Sequence, residues 1–68
     1  MPIQRDVFRI LHRDPFDNVT VEVGEKLSFA EAEIFVEERY RGRIAPEGAD
    51  LVKIVDSAGN VLRTYRIR

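Results

Sequence analysis

The chain has no cysteine and no tryptophan among its 68 residues, and only one histidine, four glycines and three prolines. Without cysteine there is no disulfide and no thiolate metal ligand, so a domain this short carries no covalent staple. The lone histidine, His12, cannot anchor a zinc site by itself. It is read as a strand-end residue that packs or hydrogen-bonds. No uninterrupted apolar run approaches the roughly 20 residues that a membrane-crossing helix needs. The opening Met1-Pro2-Ile3-Gln4-Arg5-Asp6 carries charge early and no apolar stretch follows, which argues against a secretory leader. A cytoplasmic domain without a membrane partner is therefore expected. Chemistry is missing too: there is no nucleophile elbow, phosphate-binding loop or dinucleotide fingerprint. No acid, base and electrophile can be assembled into a set, so no catalytic residue, metal ligand or cofactor is assigned and an enzyme is not expected.

What the chain does have is charge, and it is segregated. The net charge of −1 by itself gives no reason to bind nucleic acid or an anionic membrane. Residues 14–38, however, hold eight acids against Lys26 alone. Arginines mark both ends of the chain and the stretch Arg39-Tyr40-Arg41-Gly42-Arg43. Nine of the eleven basic residues are arginine, a bias that bidentate recognition or a GC-rich genome would each produce.

Leu27 to Gly42 reads as one helix with both ends marked. Ser28 and Glu31 have the spacing of a capping box, and Leu27 with Ala32 that of a hydrophobic staple. Arg39 and Arg41 suit the negative end of the helix dipole, and Gly42 suits a left-handed terminating residue. Phe29, Ala32, Phe35, Val36 and Tyr40 fall on one stripe at about 100° per residue. Ile34 lands on the opposite side. The flanking segments alternate with a period of two, as strands do. Asp6 to Arg13 sets Phe8, Ile10 and His12 on one face and Val7, Arg9, Leu11 and Arg13 on the other. Val19-Thr20-Val21-Glu22-Val23 places its valines inward. Asp50 to Asp56 and Val61 to Arg68 are two further strands joined by the turn Ser57-Ala58-Gly59-Asn60. In the last strand Val61, Tyr65 and Ile67 are taken as inward with Arg63.

One domain covering residues 1–68 follows, of class α+β. Its elements run β-β-α-β-β: a four-stranded, mostly antiparallel sheet with one helix packed on one face. The expected core is Phe8, Ile10, Val19, Val21, Val23, Val52, Ile54, Val61, Tyr65 and Ile67, closed by the helix stripe. With Asp56-Ser57-Ala58-Gly59-Asn60-Val61 after the helix, the chain resembles small uncharacterised bacterial ββαββ proteins that carry a D-x-x-G-x-[IV] hairpin there. The resemblance covers about the second half of the chain and implies no functional residues.

Two binding readings remain. On the face away from the helix, Val7, Leu11, Leu51, Val55 and Leu62 would form an apolar surface on a soluble chain. That points to a non-catalytic protein-interaction module, self-associating as a homodimer through the open sheet face or an edge strand, or taking another protein. The alternative is a single-stranded RNA- or DNA-binding domain that uses Arg9, Arg13, Lys53, Arg66 and Arg68 as phosphate contacts. The acidic middle of the chain and the absence of an aromatic pair on that face weigh against it.

Overall fold

The computed structural model describes residues 6–68. The amino-terminal segment read for its early charge lies outside the described residues, except for Asp6. The elements are β1 (Phe8–Asp14), β2 (Val19–Lys26), α1 (Phe29–Arg39), β3 (Asp50–Val55) and β4 (Val61–Ile67). The ββαββ order, the four-stranded sheet and the single helix on one face agree with the sequence reading. Sheet order is β2-β1-β3-β4, and every hydrogen-bonded pair is antiparallel. Because β1 lies between β2 and β3 and opposes both, those two strands are parallel to each other, and the helix connects them.

The helix starts where its chemistry says. Ser28 has extended backbone and its Oγ accepts the Glu31 amide at 3.1 Å. That is the forward half of a capping box, which satisfies one of the free amides of the first turn. The expected staple does not form: Leu27 is exposed, so it has no grip on Ala32. The helix also stops earlier than Gly42. Tyr40 caps it, donating its amide to the Val36 carbonyl at 3.0 Å. Gly42 is left-handed as expected, with φ +78°. It lies beyond the cap, in a turn closed by the Arg43 amide on the Tyr40 carbonyl.

The core is one layer between helix and sheet. Ile10, Val52, Ile54, Tyr65 and Ile67 rise from the sheet to meet Ala32, Val36 and Tyr40, with Phe8, Val23, Phe29 and Phe35 partly buried around them. Two glycines allow close packing. Over Gly24 sits the Phe35 ring, so near that a Cβ there would lie 2.7 Å from its Cζ. At Gly48 a Cβ would lie 2.5 Å from the backbone of Ile67.

Two assignments are corrected. A bulge between Ile54 and Val55 sets Leu62 as an extra residue, so Val61 opposes Val55 on the open face. One added residue reverses every side chain beyond it, because the strand period is two. Val61 is accordingly exposed and leaves the core. Val19 and Val21 do point to the helix side, since they oppose Asp14 and His12. Yet they are 49% and 54% exposed. The helix meets only the carboxyl half of β2, where Phe35 lies over Gly24 and Val23 packs against the core, so the amino half with Val19 and Val21 stays uncovered.

The hairpin turn after β3 is built on Asp56. Its carboxylate accepts the amides of Ala58 at 3.0 Å and Asn60 at 2.8 Å, and Gly59 takes φ +88°. These bonds, the Asn60 amide foremost, hold the Asp56 carboxyl below its ordinary range.

Candidate interaction surface

The open face of the sheet reads off in rows from the strand registers. One row is Thr20, Arg13, Leu51 and Arg66; the next is Glu22, Leu11, Lys53 and Thr64; the third is Glu25, Arg9, Val55 and Val61. Arg9, Arg13, Lys53 and Arg66 therefore share this face and sit among Leu11, Leu51 and Val55, so the apolar and the basic candidates occupy the same ground. Leu11 and Leu51 are partly buried and Val55 is 8% exposed. Val7, just ahead of β1, is partly buried, and Leu62, the bulge residue, is exposed. Long basic side chains lie along such aliphatic ground and keep their charged ends in water. Solvent over β1, β3 and β4 meets these cations together with the exposed Val61 and Leu62.

Several of these cations already have partners. Arg9 Nε lies 3.4 Å from Glu22 Oε1. Arg13 donates to Asn18 Oδ1 at 3.0 Å, and Arg66 to the Gly48 carbonyl at 3.4 Å. Arg68 is turned toward the helix exit, where it donates to the Gly42 carbonyl at 3.0 Å and approaches Glu47 at 3.5 Å. All six aromatic rings of the chain lie off the open face. Phe8 and Tyr65 are on the helix side, Phe29, Phe35 and Tyr40 belong to the helix and its cap, and Phe16 is in the β1–β2 turn.

On the helix side, the uncovered end of the sheet forms a shallow groove of about 320 Å³, lined by His12, Asp14, Asp17, Val19, Val21 and Val23. Its inner wall is the only histidine network. His12 Nε2 is 2.9 Å from Asp50 Oδ2, and Nδ1 is 2.9 Å from the Tyr40 hydroxyl. A carboxylate only accepts, so Nε2–H donates to Asp50 and, in the neutral tautomer, Nδ1 accepts from Tyr40. The partners lie 28 and 38 residues away in sequence, which is why spacing alone could not find them. This network ties the helix cap to the central strands. Both ring nitrogens are engaged, Tyr40 is 2% exposed, and His12 and Asp50 remain partly exposed at the groove.

The two sheet edges differ. At β4, Ile44 bridges Ile67 and the Ala45 amide donates to the Arg66 carbonyl at 3.0 Å, which occupies the carboxyl end of that edge. Among the described residues, β2 pairs with β1 on one side only. Among the described residues no group of histidine and carboxylate side chains could hold a metal ion, and no helix is long and apolar enough to cross a membrane. Compared with protein-family models, curated proteins and solved structures, the chain matches none.

Proposed function

We propose that this chain is a small, cytoplasmic, non-catalytic protein-interaction module that associates with itself through its sheet. One observation carries the reading: Val19 and Val21 share the sheet face that buries Ile10, Val52 and Ile54, yet about half of each remains in water. An edge strand with free backbone groups and exposed valines is a template for pairing unless it is blunted. The non-catalytic part of the reading is supported by the His12 network, in which both ring nitrogens are engaged by Asp50 and Tyr40. Light scattering across a dilution series tests it. The mass should rise from the 7.9 kDa of one chain toward twice that value as concentration increases. A mass fixed at one chain throughout would refute self-association.

A second reading, single-stranded nucleic-acid binding, is favoured by the gathering of Arg9, Arg13, Lys53 and Arg66 on one face. It requires affinity that falls steeply with added salt. Fluorescence anisotropy with a labelled oligonucleotide checks it. Binding unchanged after all four are replaced by glutamine, or absent at low salt, removes it. With no ring on that face to stack a base, it ranks second.

A further inference from the structure

We propose that β2 pairs antiparallel with β2 of a second copy about a two-fold axis at Val21, joining the two sheets into one of eight strands. The proposal rests on the self-association reading above and names the surface, the partner and the register.

The axis position follows from what each register would bring together. Antiparallel partners must point to the same side, so a two-fold must pass through a residue of the strand. Centring on Glu22 would set that carboxylate against its own copy, a repulsive pair. Centring on Val21 sets Val21 against Val21 and Val19 against the partly buried Val23, so both half-exposed valines gain an apolar partner. It also sets Glu22 opposite the partner's Thr20, a hydroxyl that can donate. Two strands further along that row, about 9–10 Å from Glu22 at ~4.8 Å per strand, lies the partner's Arg13, within reach of an extended arginine. Glu22 is already beside Arg9 of its own chain. Each copy thus offers one acid to two cations, and the arrangement occurs twice.

The ends of the ladder are set by the same residues. The bulge between β1 and β2 makes Val23 an extra residue, which ends regular pairing there. On the helix side, one row would run Tyr65, Val52, His12, Val21 and then the same residues reversed in the partner. The two shallow grooves would merge into a single trough between the helices. The carboxyl end of the β4 edge is taken by Ile44 and Ala45, so pairing at the far side is blocked there, and an isologous β2 pair uses up the other edge.

The absence of cysteine makes the test direct, because any introduced thiol is unique. Val21→Cys should form a covalent dimer rapidly under mild oxidation, while Leu51→Cys on the open face should stay monomeric on a denaturing gel. Val21→Lys should raise the dissociation constant by about 100-fold or more, since two ammonium groups would meet across the axis. Its circular dichroism should be unchanged, because the position is more than half exposed. If Leu51→Cys cross-links instead, or Leu51→Lys separates the dimer while Val21→Lys does not, the edge pairing is wrong although self-association stands. If the unmodified chain remains at 7.9 kDa at high micromolar concentration, both fail.

Discussion

Val52 and Val21 sit in one row of one sheet face, on either side of His12. Val52 is wholly buried and Val21 is 54% exposed. Both belong to strands with the same period-two alternation, and both point toward the helix layer. The difference is coverage: the helix layer covers Ile10, Val52, Ile54 and Ile67 and meets β2 only at Val23 and Gly24, short of Val21. A strand pattern states which face a residue takes, whereas the width of the opposing layer decides whether that face leaves water. In a sheet of four strands under one helix, those are separate questions.

The comparison breaks most sharply at the covered end. Ile54→Ala deletes a fully buried side chain and should cost ~2–5 kcal/mol. For a domain with only a few kcal/mol of total stability, that leaves a largely unfolded chain. Urea melts followed by circular dichroism measure it. Val21→Ala, at dilutions where the chain is monomeric, should stay within ~0.5 kcal/mol of the parent. Equal losses at the two positions would mean that the amino half of β2 is covered after all.

Gly48→Ala comes next. Its methyl group would meet the Ile67 backbone, which cannot rotate away as a side chain does, so a loss of ~1–3 kcal/mol or more is expected. Gly24→Ala meets only the Phe35 ring and should cost less. If Gly24→Ala proves the worse of the two, the ring is held more firmly than its exposed flank implies. His12→Ala should fall in a similar range, ~1–3 kcal/mol, because it strips the nearly buried Tyr40 hydroxyl of its partner. His12→Ala should also loosen the Tyr40 cap, read as faster amide exchange in the last helical turn.

The smallest effect concerns Tyr65. Its hydroxyl is buried and has no hydrogen-bond partner among the described residues, so Tyr65→Phe should be nearly neutral or slightly stabilising. Burial pushes this phenol above its ordinary 10.0. The unfolded chain then ionises first as pH rises, so the parent loses stability from about pH 10 upward through the folded value. Melts of Tyr65→Phe across that range should lack this part of the alkaline loss.

Much of the fold was legible because its signals were local. Ser28 and the alternation of Phe8-Arg9-Ile10, Val52-Lys53-Ile54 and Tyr65-Arg66-Ile67 depend on near neighbours, and all were placed on the correct faces. Val61 was misplaced because a bulge depends on cross-strand register, which no neighbouring residue announces. His12 was read as a residue that packs or hydrogen-bonds, but its partners come from the helix cap and the start of β3. Gly24 and Gly48 look like punctuation in the sequence and turn out to be points of close approach. The candidate surface was legible as a set of residues on the open face. The exposure of Val19 and Val21 depended on where along β2 the helix crosses, which no local pattern states.

The uncovered half of β2 carries the functional account, and amide hydrogen exchange along it tests that account most directly. Across about a hundredfold change in concentration, the outward amides of Val19 to Val23 should become protected at the concentrated end while those of β3 stay constant. Exchange in β2 that is independent of concentration would contradict the account.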